Sequence, residues 1–149
     1  MPANTSPIFS LTPNNGKVSV SAALTKSDGT GTIATDIFKL FTAGANGSYV
    51  GDVRFSIAGT TASTASTATV ARVYLATTGS GATTGGTNTF LLAEAALPSQ
   101  TTDSTTIATY PVVVPLNRAL ASGEYLLVST HHAPAANTQV HATCNGGDF

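Results

Sequence analysis

The sequence predicts an all-β protein: a single β-sandwich or jelly-roll-like domain of about eight antiparallel strands, led by an extended N-terminal arm. Three observations predict it. Charged residues are only 9% of the 149 residues, against about 25% in a typical soluble domain. The polar surface therefore falls to Thr, Ser, Asn and Gly, and β-branched Thr suits a pleated strand with one wet face. Short apolar-alternating segments recur along the chain, separated by Gly, Pro, Asn and Thr turns, which is the spacing of a sandwich, jelly roll or barrel.

Residues 1–16 carry three prolines among Asn and Thr and read as the extended arm, because proline cannot donate to a ladder and biases its neighbour to extended backbone. Within it, Ile8, Phe9 and Leu11 are candidate interface residues. The sandwich spans residues 17–149. KVSVSAAL (17–24) places Val18, Val20, Ala22 and Leu24 on one face, as a half-buried strand does. SDGTG (27–31) is a turn. In TIATDIFKLFTA (32–43), Ile33, Ile37, Leu40 and Phe41 fit helical spacing, but the short length and Thr content favour strand. GANGS (44–48) carries an Asn-Gly turn signal. YVGDVRFSIAG (49–59) alternates again, with Val53, Phe55 and Ile57 inward and Asp52, Arg54 and Ser56 outward.

TTASTASTAT (60–69) has nothing to pack and reads as a loop or edge strand. It leads into TVARVYLAT (69–77), a buried strand. TGSGATTGGTN (78–88) is a long turn, TFLLAEAAL (89–97) a core strand, and PSQTTDSTT (98–106) a loop. IATYPVVVPL (107–116) reads as a strand bounded by Pro115. A turn at Ser122-Gly123 precedes a strand into the histidines, and TQVHATC (138–144) is the last strand.

The tail gathers all three histidines and the only cysteine. Folded as a hairpin around HAPAANT, it sets Thr130 opposite Val140, Val128 opposite Ala142 and Leu126 opposite Cys144. These form one apolar face, and a slip of one residue would wet Val140 and Cys144. Cys144 then reads as a small buried hydrophobe. On the other face His131 and His141 become diagonal neighbours, the candidate metal pair of this chain, short of the third ligand that a site needs. The plainer reading makes them polar surface or subunit contact. Gly146 and Gly147 are expected to turn the chain after the last strand, leaving Asp148 and Phe149, another interface candidate, to tuck against a neighbour. The terminal GGDF resembles part of the cyclase signature that ends in Glu-Phe, but lacks that glutamate and the surrounding α/β domain.

Other chemistry finds little footing. The formal net charge is −1, without the clustered Lys and Arg of a nucleic-acid footprint. No apolar run is long enough for a membrane span, and the N-terminus lacks the basic-then-apolar pattern of a secretory signal. One cysteine cannot staple the fold internally. TGSGATTGG has no Lys of a phosphate loop, and no GxSxG elbow occurs. The acids Asp28, Asp36, Asp52, Glu94, Asp103, Glu124 and Asp148 are scattered, and no Trp offers a sugar platform. Asp52 and Arg54 read as a solvated ion pair. The expectation is a protein that is not an enzyme and takes no cofactor. Sparse charge on a small domain points instead to assembly with other chains.

IFSLTPNNGKVSVSAAL, DGTGTI, FTAGANGSYVGDVRFSIAGTT, RVYLA, PLNRALASGEYLLVSTHHA and GGDF, in that order, resemble a family of small virion structural proteins of tailed bacteriophages. The resemblance covers most of the chain and departs at TASTASTAT and GSGATTGGTN, which read as expanded loops. It supplies no catalytic residues. It implies a capsid decoration protein or a tail-associated protein on the particle surface, made in the host cytoplasm. The implied partners are the major capsid protein or other virion proteins, and further copies of the chain in a homotrimer, with no nucleic acid and no membrane. A competing expectation is a tail or fibre module that binds a receptor glycan. In it the loops at 60–69, 78–88 and 98–106 cluster at one end, and Tyr49, Tyr74, Tyr110 or Tyr125 stacks on sugar. A glycan-active enzyme would instead depend on a single carboxylate.

Overall fold

The computed structural model describes residues 12–61, 64–77, 83–85, 87–104 and 108–149. Among them the regular structure is all strand: β1 (Thr12–Pro13), β2 (Gly16–Val20), β3 (Gly31–Thr32), β4 (Phe38–Thr42), β5 (Ser48–Gly59), β6 (Thr69–Ala76), β7 (Thr83–Thr84), β8 (Thr89–Leu97), β9 (Val112–Leu120), β10 (Tyr125–Thr130) and β11 (Thr138–Asp148). One sheet runs β1-β11-β5-β9, with β2 also pairing with β11, and the second runs β4-β10-β6-β8. The strand pairs of both sheets are antiparallel. β1 and β2 lie end to end along one edge of β11, bridged where Asn14 N–H donates to Gly146 O. With β1 and β2 taken as one interrupted strand and the small β3-β7 pair set aside, the first, eighth, third and sixth strands form one layer. The second, seventh, fourth and fifth form the other. That is the strand order of a jelly roll, and it bears out the expected sandwich.

Alternation dictates the core. On β5, Val53, Phe55 and Ile57 are buried while Arg54 is exposed, as the 49–59 pattern predicts. They meet Leu126 and Val128 of β10, Val73 and Leu75 of β6, and Val140, Ala142 and Cys144 of β11 in one cluster between the sheets. A second, smaller cluster lies on the far side of the β10 sheet, where Leu24, Ile37 and Ile33 cover Tyr74, Ala76, Tyr125 and Leu127. β10 is therefore buried on both faces, and its unbroken YLLV run reflects that. Turns fall where the sequence places them. Gly47 takes φ 90 after Asn46, and Gly123 takes φ 82 after Ser122, values that favour glycine.

Several boundaries differ from expectation: β2 stops at Val20 instead of Leu24, β4 takes only Phe38–Thr42 of the expected 32–43 strand, and β9 starts at Val112 within the expected 107–116 strand. The arm was drawn to residue 16, but Thr12 and Pro13 already pair with Asp148 and Gly147, and β2 begins at Gly16. A Cβ on Gly16 would lie 2.1 Å from Leu40 O and 2.8 Å from Cys144 Sγ, so the chain is tightly seated there. β9 is not bounded by Pro115; it runs through that residue to Leu120. It tolerates the proline because β9 is an edge strand, where a missing N–H breaks no ladder. β11 continues through Gly146 and Gly147 to Asp148, with a register shift after Asn145, so these glycines bulge the strand rather than turn the chain.

Candidate functional site

The tail does not fold as a hairpin. β10 pairs with β4 and β6, and β11 pairs with β1, β2 and β5 in the opposite sheet. The inward set is as expected, since Leu126, Val128, Val140, Ala142 and Cys144 all enter the main core. They meet across the sandwich instead of along one sheet. Alternation reports which face is apolar, and that face is satisfied equally by either neighbour.

The pairing separates the candidate metal pair. His131 follows β10, its N–H donating to Val70 O, whereas His141 lies on β11 with its Nε2 3.0 Å from Gln139 Oε1. The nearest imidazole to His131 is His132, edge-on with ring centroids 4.7 Å apart. Among the described residues no group of three or more His, Cys, Asp or Glu side chains could hold a metal ion. His141 instead borders an open groove with Lys17, Ser19 and Thr143.

His131 belongs to a network that sequence reasoning missed. Arg72 on β6 is 6% exposed. Its Nε donates to Glu94 Oε1 at 2.7 Å, its Nη1 to Leu24 O at 2.9 Å and its Nη2 to His131 Nδ1 at 3.4 Å. The guanidinium thus pins the covering segment around Leu24 to the sheet. In sequence it is one charge in an apolar strand, TVARVYLA; that isolation was the available signal. The Asp52–Arg54 pair forms as expected, at 3.1 Å.

Cys144 is buried, and its burial pushes the thiol up to about 11. A thiolate is the reactive species. The folded protein is therefore expected to leave Cys144 unmodified by a thiol reagent at pH 8, with one equivalent reacting once denaturant is added. Rapid labelling of the native protein would contradict the packing of β11.

The chain end packs on its own domain. Asp148 accepts hydrogen bonds from Ser48 Oγ and Asn14 Nδ2. Phe149 is half-buried, its N–H donating to Gly47 O. The Ser48 and Asn14 donors hold the Asp148 carboxyl below its ordinary range. A depressed folded value means the carboxylate's contribution is whole above the unfolded value of about 3.9, and fades as pH falls through the lower folded value. Asp148→Asn is expected to unfold at lower denaturant than the parent at pH 7, with the gap narrowing below about pH 4. A gap independent of pH would refute this role.

The long loops do not gather at one end. The register Thr69↔Leu97 and Ala76↔Thr89 sends loops 60–69 and 98–106 to one end of the β6–β8 pair, where Ala65 bridges Thr101. It sends the described residues 83–85 and 87–88 to the other. Tyr74 and Tyr125 are buried and present no stacking face to a sugar, with Lys39 Nζ seated 4.6 Å from the Tyr125 ring centroid. Tyr49 and Tyr110 are exposed, and Tyr110 lines a cleft with Ser99, Gln100, Thr101 and Ala108.

The most distinctive surface is the open side of the sandwich, between the edge strands β8 and β9. Phe90, Ala93 and Ala95 pair with the core residues Leu75, Val73 and Ala71, so they face the interior. Yet Phe90 is 48% exposed, and Leu92, Ala93, Ala95, Val112 and Leu116 are only partly buried against the core. Leu91 and Val113 add exposed apolar area on the two lips. Among the described residues both lips are also edge strands, which proteins usually blunt with charge or proline; FLLA and VVV carry neither, while Pro115 interrupts the β9 lip and Glu94 and Arg118 lie further along the two strands. The candidate interface residues Ile8, Phe9 and Leu11 lie outside the described residues. No protein-family model matches the chain, and a comparison with curated proteins finds none similar to it.

Proposed function

We propose that this chain is a structural component of a tailed-bacteriophage virion, acting as a capsid decoration protein that binds the shell as a homotrimer. The observation that supports this best is the open apolar side of the jelly roll. An exposed apolar edge of this kind marks an association surface. The sequence resemblance to small virion proteins points the same way. A decoration protein stabilises a capsid by binding the assembled lattice and not its separated parts, which shifts the assembly equilibrium by mass action. A ring of copies fits local symmetry axes, where a head-to-tail contact closes.

The test is cryo-EM of the intact particle with head symmetry applied. The expected result is density for this chain at capsomer junctions across the whole shell. Absence from the head, with a few copies on the tail, would overturn the decoration role. It would favour the second reading, a tail-associated receptor or glycan module, which draws on the exposed Tyr110 and its cleft with Gln100. In that reading Tyr110→Ala would remove glycan binding.

A further inference from the structure

We propose that the open side between β8 and β9 receives residues 8–11 of a second copy of this chain, so that copies associate head to tail. The inference rests on the homo-oligomeric part of the reading above and names its contact.

The geometry separates donor from acceptor. The arm enters the fold at Thr12, on β1, at the edge of its sheet opposite β9, with β11 and β5 between them. Three inter-strand steps of about 4.8 Å span ~14 Å straight through the protein, and β8 lies beyond, in the other sheet. Ile8 stands four residues before Thr12, a reach of about 14 Å at full extension. The path around the outside is longer, so residues 8–11 fall short of their own chain's open side. β11, the partner of Thr12 and Pro13, ends at Asp148 directly opposite Thr12.

The chemistry matches. The segment PIFSL (7–11) is apolar and uncharged, as are the lips FLLA (90–93) and VVVPL (112–116). An extended segment laid beside β8 or β9 gives the edge the backbone partners it lacks, as in strand addition. Phe9 and Leu11 share one face of an extended segment and would cover Phe90, Leu92 and Val112, with Ile8 on the opposite face. Because the arm and its seat lie on opposite sides of one sandwich, the contact is heterologous. Repetition then gives a ring if the rotation closes.

Disulfide trapping tests this. Phe9→Cys and Phe90→Cys are made separately and co-expressed, with buried Cys144 left in place. The expected result on mild oxidation is a reducible two-chain species from the pair that neither variant forms alone. The double variant should link chains up to the ring size. Any of these trapping results would overturn the proposal: a link within one chain of the double variant, a two-chain species from Phe90→Cys alone (which would mean β8 meets β8), or no link while light scattering shows an intact oligomer. The last would leave the homo-oligomer standing and place its contact elsewhere; a monomer at every concentration would overturn both. As an independent measure, deletion of residues 2–11 should convert the oligomer to a monomer with an unchanged β-type circular dichroism spectrum. An oligomer that survives the deletion would refute the arm's role.

Discussion

Phe55→Ala is expected to lower the free energy of unfolding by about 3–5 kcal/mol, the range for removing a fully buried aromatic ring from a packed core. Phe55 is 1% exposed. It lies on β5, inside its sheet, opposite Ala142 of β11 and Val112 of β9. Two flanking strands hold the backbone, so the sheet has little freedom to collapse into the space left behind. In a chain of this size the loss corresponds to roughly 6–20 °C in Tm. The check is a denaturant titration of mutant and parent at equal protein concentration, since assembly adds to apparent stability. The midpoint should fall with the slope unchanged. A loss under about 1 kcal/mol would mean that the layer between the sheets is packed otherwise than described.

Arg72→Ala is expected to cost roughly 2–4 kcal/mol, and Arg72→Met nearly as much. Methionine restores the aliphatic stem but leaves Leu24 O without its donor, and an unpaired buried carbonyl is the larger part of the penalty. Glu94 is different. Its side chain is 45% exposed, and Glu94→Gln keeps an acceptor for Arg72 Nε while removing the counter-charge of a buried guanidinium, so it should cost roughly 1–2 kcal/mol, less than either Arg72 variant. The effect should also be local. Leu24 N–H donates to Thr130 O, and that amide reports on the layer that Leu24, Ile33 and Ile37 form over β10 and β6. Its hydrogen exchange should accelerate in the Arg72 variants before the central amides of β5 respond. Equal protection at Leu24 in parent and Arg72→Met would refute the pinning role.

Much of the fold was legible in the residues. Strict alternation from Val53 to Ile57 reports one wet and one dry face, and the structure buries those side chains. Asn46-Gly47 and Ser122-Gly123 mark turns because a positive φ favours glycine. Cys144, in step with Val140 and Ala142, was recognisable as core. Strand number was close as well, because β1 with β2, β4, β5, β6, β8, β9, β10 and β11 answer to the alternating segments. The candidate site was much less legible. The arm residues Ile8, Phe9 and Leu11 were singled out as apolar side chains among polar ones. The open side was not, because FLLA and VVVPL look in sequence like ordinary core strands.

What the sequence by itself determined is the set of faces: which side chains point inward, where the chain must turn, and that charge is too sparse to clothe a free surface well. Only the tertiary structure decided the neighbours. β10 and β11 were placed side by side by pattern and lie in opposite sheets in fact, with His131 and His141 parted as a result. The covering layer over Tyr74 and Leu127, the bridging role of Arg72 and the exposure of Phe90 are all of this kind. The physical reason is common to them. An apolar face lowers its free energy by leaving water, whichever apolar face it meets, whereas backbone hydrogen bonds link strands far apart in sequence through groups that every residue shares. Side-chain pattern therefore fixes orientation, and the choice of partner is settled only when the whole chain is packed.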